Sequence, residues 1–192
     1  MGNKPKTPQP QMEHKIQTRD VFQTPKYATK LLIPFIPKHI LSFWECASGE
    51  GKISNVLMQE KNCLIINSDL KYKEDYNFLT MNFPEKLDKS KSCIITNPPY
   101  SLKYKFVEKA ISHDIPFAFL IPFDLSKTLI EFFDKYNCQA IVPNRRIDYI
   151  TPTRKEGKAS SSQFHSVWLT RYFNLPQQLN FVDLSLEMKK DV

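Results

Sequence analysis

The segment LSFWECASGEGKISNVLMQE, residues 41–60, decides the fold. Its opening run LSFWEC is apolar and closes on Glu45 and Cys46, KISNVLMQE repeats apolar residues at helical spacing, and the intervening turn holds two glycines. That order reads as strand, tight turn and helix. The alternation continues outward. CLIINSDL reads as a strand ending at Asp69, SCIITN as one ending at Asn97 and YKFVEKAI as the helix after it; PFAFLIP, LSKTLIEFFDKY and QAIVP repeat strand, helix and strand. Short apolar strands separated by helical patterns predict an open α/β sheet, mostly parallel, with flanking crossover helices. On the N-terminal side PKYATKLLIPFI predicts a short helix, with Thr24 as N-cap and Pro25 at its first position. Beyond Pro143, RIDYI and QFHSVWLT flank the polar loop TPTRKEGKASSS and predict an antiparallel hairpin closing one edge.

A chain of 192 residues, 41% hydrophobic and 24% charged, has the length of one domain and enough apolar material for a core. Residues 1–20, with Pro5, Pro8 and Pro10 among polar side chains, read as a flexible basic arm; 21–173 read as the domain; 174–192 are weakly patterned and read as a tail without assigned role. No apolar run approaches a membrane span and the N-terminus lacks a signal-type apolar stretch, so the chain is expected to stay inside the cell. Cys46, Cys63, Cys93 and Cys138 form no C-x-x-C pair, and His14, His39, His113 and His165 lack ligand spacing; reduced thiols and no metal site are expected.

The net charge of +7 is concentrated. In residues 1–30, Lys4, Lys6, Lys15, Arg19, Lys26 and Lys30 outnumber Glu13 and Asp20; in 143–158, Arg145, Arg146, Arg154, Lys155 and Lys158 outnumber Asp148 and Glu156. These two segments hold the whole excess, which points to a polyanionic partner.

Glycine is scarce: four occur where about 13 are usual at this length, yet Gly49 and Gly51 share one turn. Glycines between a strand and a helix N-terminus let a ligand lie against the backbone. The turn lacks the third glycine of a dinucleotide fingerprint, and Glu50 disfavours a pyrophosphate. A cationic ligand carrying an amino acid and a nucleoside suits it better. Asp69, 24 residues after Glu45, ends the next strand, where a carboxylate can accept both ribose hydroxyls.

The string Ile94-Ile95-Thr96-Asn97-Pro98-Pro99-Tyr100 carries the chemistry. Two prolines fix φ and remove two backbone donors, which leaves a rigid rim of acceptors. The Asn97 side-chain oxygen and the Pro98 carbonyl can accept from one planar amine while Tyr100 stacks on its ring. Two acceptors on those hydrogens leave the amine lone pair free to meet an electrophile, as methyl transfer requires.

With these residues the sequence resembles the class I S-adenosylmethionine-dependent amino-methyltransferases, most of all the small phage-type DNA adenine-N6 enzymes, over roughly residues 20 to 170. The resemblance implies a Rossmann-like fold with S-adenosyl-L-methionine as cofactor. It places Gln23, Thr24 and Pro25, in the string Phe22-Gln23-Thr24-Pro25, at the methionine part of the cofactor, Glu45, Ala47, Ser48, Gly49 and Gly51 at its main glycine motif, Asp69 at the ribose and Phe78 at the adenine. Asn77 stands before Phe78 where the family more often has Asp. Asn97, Pro98, Pro99 and Tyr100 match the catalytic motif, with Asn97 also beside the cofactor, and Arg146-Ile147-Asp148-Tyr149 resembles an aromatic motif on the far side of the target pocket.

The implied reaction is direct in-line transfer, with no catalytic His, Cys or metal. A duplex target must be flipped out and held by stacking, on Tyr100 first and Tyr149 second. Arg145, Arg146, Arg154, Lys155 and Lys158 would contact phosphates. Only 27 residues separate Asp69 from Asn97, too few for a recognition insert, so target choice falls to the hairpin, to loose specificity or to a protein partner. The expected partner is nucleic acid, DNA ahead of RNA, with no membrane; the oligomeric state is left open. RNA bases, cytosine-N4 and a protein glutamine amide share the chemistry, and a non-catalytic subunit or an NAD-binding oxidoreductase are the readings from other classes.

Overall fold

The computed structural model describes residues 22–150 and 163–191. Strands β1 (Ser42–Glu45), β2 (Leu64–Asn67), β3 (Ser92–Thr96), β4 (Phe117–Pro122), β5 (Gln139–Pro143), β6 (Ser166–Arg171) and β7 (Leu179–Val182) form one sheet in the order β2-β1-β3-β4-β6-β5-β7. The first four in that order are mutually parallel, β6 runs antiparallel to β4 and β5, and β7 is parallel to β5. Helices α1 (Lys26–Leu32), α2 (Lys52–Glu60), α3 (Lys103–His113) and α4 (Lys127–Tyr136) flank it. The mostly parallel α/β architecture is the expected one. Central strands read as unbroken apolar runs because both faces are covered. Phe43, Cys93, Ile95, Ala118 and Leu120 pack toward α1 and α2, whereas Trp44, Ile94, Phe117, Phe119 and Ile121 pack toward α3 and α4.

Three local expectations differ from the structure. The polar position before α1 is not a cap: Pro25 is the N-cap, no side chain caps the helix, and the Pro25 carbonyl takes the Ala28 N–H. The antiparallel strand exists but does not close an edge. β6 pairs along its whole length with β4, from Phe117 opposite Arg171 to Pro122 opposite Ser166, and its other side takes β5. RIDYI is not a strand, because β5 already has β6 and β7 on its two edges; only Ile150 pairs, in an isolated bridge with Gln23. Third, residues beyond 173 join the sheet. β7 pairs with β5 from Ala140 opposite Leu179 to Pro143 opposite Val182, and Leu184 is 0% exposed. A four-residue edge strand with one side in solvent lacks the long apolar signal that marks a central one. The basic arm of residues 1–20 lies outside the described residues.

The strand order reverses between β1 and β3, since β1 continues to β2 on one side and β3 extends the sheet on the other. In open α/β sheets that crevice, at the carboxyl ends of the strands, is where ligands bind. Both sequence motifs open into it.

Candidate functional site

The exit of β1 is built around Glu45. Its carboxylate is 2% exposed, accepts the Ser54 N–H at 2.9 Å and also lies against the Ser54 hydroxyl. Ser54 is in the first turn of α2, so Glu45 satisfies a donor the helix leaves open and sits at its positive end. Ser54 Oγ is also 2.5 Å from Asn67 Oδ1, and a single hydroxyl proton cannot serve both neighbours. A proton on Glu45 completes the set. Burial pushes the Glu45 carboxyl up to about 8, against the lowering effect of the Ser54 bonds, and the nearby Asp69 charge adds to the rise.

The turn that follows needs its glycines for backbone reasons. Gly49 and Gly51 have φ of 51° and 71°, the left-handed region, and Gly51 is the N-cap of α2. A side chain at Gly49 would meet the Gln23 amide at ordinary contact distance, so conformation more than space demands glycine there. Gly49 N–H donates to Asp69 Oδ2 at 2.7 Å and Lys71 N–H to Asp69 Oδ1 at 2.8 Å. Each Asp69 oxygen keeps a further lone pair for another donor. Thr96 Oγ1 donates to the Ala47 carbonyl at 3.2 Å, which ties the end of β3 to the turn after β1.

Between these turns lies a cavity of about 450 Å³, within the usual range of small-molecule sites. Gln23, Thr24, Glu45, Ala47, Ser48, Gly49, Asp69, Phe78 and Asn97 line it, as does Pro99. Pro25 and Gly51 do not; both act as helix N-caps. Pro98 and Tyr100 also lie off its wall. Phe22, from the same string as Gln23 and Thr24, lines it too, and residues without a sequence assignment complete the lining, among them Cys46, Lys52, Ile53, Leu70, Lys71, Tyr76, Leu79, Leu102 and Phe106. Leu70 and Lys71 directly follow the acid that ends the strand pattern, a signal that was readable; Phe106 reaches the cavity from α3 and reads in sequence only as a core position. Asn77 lines the wall too, its side-chain oxygen accepting the Leu79 N–H at 3.1 Å.

Asn97 lines the cavity one residue past β3. Its Nδ2 donates to the Phe22 carbonyl at 3.1 Å, while its Oδ1 is buried and has no hydrogen-bond partner among the described residues. Buried acceptors are normally satisfied, so one left open beside a cavity implies a missing donor. Behind it is an aromatic compartment: Tyr100 stacks on Phe22 with centroids 5.1 Å apart and 22° between planes, and meets Phe164 and Tyr149 edge-on at 5.1 and 6.0 Å. Burial holds the Tyr100 phenol well above its ordinary value, so it stays neutral. Tyr149 is 3% exposed and its hydroxyl donates to Ser166 Oγ at 2.8 Å. It meets the Tyr100 ring at a steep angle and forms a wall of that compartment.

The segment carrying Tyr149 is held by the C-terminal residues. Asn144 N–H donates to the Val182 carbonyl, Arg145 donates to the Leu184 carbonyl at 2.7 Å and lies 3.7 Å from Asp183, and Lys189 pairs with Asp148 at 2.5 Å. Arg145, expected at phosphates, is thus engaged within the chain. The side chain of Arg146 is exposed, and its carbonyl accepts from Lys189 Nζ at 3.0 Å. Arg154, Lys155 and Lys158 lie outside the described residues. All four cysteines are free thiols, and no cluster among the described residues could hold a metal ion. No helix among them is long and apolar enough to cross a membrane.

A reversed-order parallel sheet with an antiparallel strand set between its last parallel ones and flanking helices is the Rossmann-like architecture of methyltransferases. Among solved structures the chain is similar to the methyltransferase subunit of a type I restriction-modification system from Streptococcus thermophilus, with a TM-score of 0.58, 13% identity, and coverage of 84% of this chain and 47% of that one. The chain therefore spans about half the length of that subunit, and the likeness is one of fold. No protein-family profile matches the sequence, and no curated protein does.

Proposed function

We propose that the chain is an S-adenosylmethionine-dependent methyltransferase acting on the exocyclic amine of a nucleobase, adenine-N6 in DNA, by direct in-line transfer. The observation that carries this reading is Asn97 Oδ1: a buried acceptor without a hydrogen-bond partner among the described residues, on a rigid proline rim, beside a cavity lined by two acidic side chains and a set of aromatic rings. The restriction-modification subunit of like fold favours DNA as the polymer.

The residues fit the cofactor. Asp69, held by Gly49 and Lys71 N–H groups with lone pairs to spare, would take the ribose hydroxyls; Phe78 and Leu79 would flank the adenine; Gln23 and Thr24 would face the methionine part. When bound, S-adenosylmethionine supplies a methyl group already activated by its sulfonium. The protein's task is positioning and exclusion of water. Asn97 Oδ1 and the Pro98 carbonyl accept both hydrogens of the target amine, which holds its plane and turns its lone pair toward the cavity. Tyr100, neutral and packed among rings, supplies the stacking face.

Incubation with radiolabelled S-adenosylmethionine and separate pools of DNA, RNA and protein, followed by nucleoside analysis, tests the reading. Label in N6-methyladenine from DNA is the expected result. Label confined to RNA or to glutamine would replace the target, and no incorporation anywhere would overturn the proposal.

Glu45 makes cofactor binding pH-dependent. A cationic ligand favours the ionised carboxylate, so affinity should climb as pH rises from 7 through about 8 and level off above. Titration calorimetry from pH 6.5 to 9 checks this, with Glu45→Gln expected to flatten the rise; an equally steep rise in that variant would place the titrating group elsewhere. The stability of the free protein has the opposite sign. A carboxyl whose folded pKa is raised stabilises the fold fully only below its ordinary range, so this contribution to Tm should decline as pH rises from that range toward about 8 and level off above.

The basic loop is tested by salt. Each phosphate contact adds about 0.9 to the slope of log affinity against log salt on duplex DNA. Neutralising Arg154, Lys155 and Lys158 together should lower that slope, whereas Arg145→Ala, whose partner is Leu184, should leave it unchanged. An unaltered slope in the triple variant would move the phosphate surface elsewhere.

A further inference from the structure

Phe22 sits where the proposed target base would have to go. Its ring lies nearly parallel to Tyr100, 5.1 Å between centroids and 22° between planes, which is an offset stack. Phe164 and Tyr149 stand at steep angles to Tyr100, so Phe22 is the one ring among the described residues that covers a face of it. Phe22 also touches Phe164 and Tyr149, at 6.0 and 5.6 Å, and thus fills the centre of the aromatic compartment. A flat base and the Phe22 ring cannot share that face.

The backbone of the same residue does something different from its ring. The Phe22 carbonyl accepts from Asn97 Nδ2 at 3.1 Å, which fixes the side-chain amide with Oδ1 as the atom left open. Next to it, Gln23 is clamped to Ile150 by two hydrogen bonds, Gln23 N–H to the Ile150 carbonyl at 2.9 Å and Ile150 N–H to the Gln23 carbonyl at 3.1 Å. The clamp holds the backbone on one side of Phe22, and the residue is half-buried, so its ring is not sealed in the core.

We infer that Phe22 is an internal stand-in for the target base: its ring occupies the Tyr100 face in the free protein and is displaced by the incoming base, while its carbonyl stays to orient Asn97. The inference rests on the nucleobase reading above and adds a residue that tunes substrate affinity. A ring that must be displaced lowers apparent affinity by the fraction of molecules in which the face is open. Removing an aromatic pair of this kind corresponds to about a three- to tenfold gain.

The test uses the full chain, S-adenosylmethionine and a single-stranded DNA oligonucleotide of mixed sequence, which carries no flipping cost. Phe22→Ala keeps the carbonyl and loses the ring, so KM for the oligonucleotide, read at saturating S-adenosylmethionine because the ring also lines the cavity, should fall about three- to tenfold. Phe22→Trp gives a second readout. Trp44 and Trp168 are 0% and 1% exposed and report a buried environment, so a red shift on adding oligonucleotide would come from the new indole leaving the stack. If wild type transfers label but KM in Phe22→Ala is unchanged or raised, or the Trp variant shows no shift, Phe22 is not a stand-in and this inference alone falls. If wild type transfers no label to DNA, RNA or protein, the functional reading falls and takes this one with it.

Discussion

Asn97→Ala is expected to bind S-adenosylmethionine nearly as tightly as wild type while losing about 10²- to 10³-fold in kcat, the usual effect of removing one preorganised polar contact at a reacting centre. The proposed cofactor contacts come mainly from the residues that follow β1 and β2, whereas Asn97 follows β3 and lines the same cavity. Calorimetry with the cofactor and single-turnover transfer of label separate the two effects. Asn97→Asp retains an acceptor oxygen and should recover part of the rate. Turnover within a few-fold of wild type in the alanine variant would dismiss the amine cage; loss of cofactor binding in step with rate would instead make Asn97 a scaffold residue, since its amide also anchors the Phe22 carbonyl.

A chain ending at residue 173 is expected not to fold cooperatively. It would lose four ladder positions between β5 and β7, the fully buried Leu184, the largely buried Leu175, and the Lys189 partner of Asp148. Burying one leucine is worth about 1.5–3 kcal/mol. Stripping a partly buried carboxylate of its lysine costs about 1–3 kcal/mol more, and Asp148 Oδ1 already lacks a hydrogen-bond partner among the described residues. Together these approach the 5–15 kcal/mol margin of a whole domain. Thermal and urea unfolding of the truncated and full chains provide the measurement, and a truncated chain with the Tm of the full one would restore residue 173 as the boundary. The single change Lys189→Ala should lower Tm by several degrees without abolishing folding.

How far the sequence could be read depended on how local each signal was. QAIVP coincides with β5 and PFAFLIP with β4 to within one residue, because a strand covered on both faces must be apolar throughout. Glu45, Ser48, Gly49, Asp69 and Asn97 were legible for a related reason: each stands at or just past the carboxyl end of a strand, where a break in the apolar run marks it. Leu102 and Phe106 carry no such mark. Phe22 was visible as a letter beside Gln23 and Thr24, yet nothing local says that its ring would lie on Tyr100, 78 residues away in sequence.

The amino-acid order by itself determined the alternating elements, the parallel character of the sheet, the glycine turn and the asparagine–proline rim, since each depends on side-chain periodicity or on dihedral limits within a few residues. Tertiary structure alone decided that β6 enters between β4 and β5, that the last described residues close the far edge and hold the segment of Tyr149, and that Asn97 has an oxygen without a partner among the described residues beside the cavity. Those outcomes turn on which strand edges remain open after the local elements have formed, and on which polar atoms find partners across the chain. Neither quantity exists until the whole chain is packed.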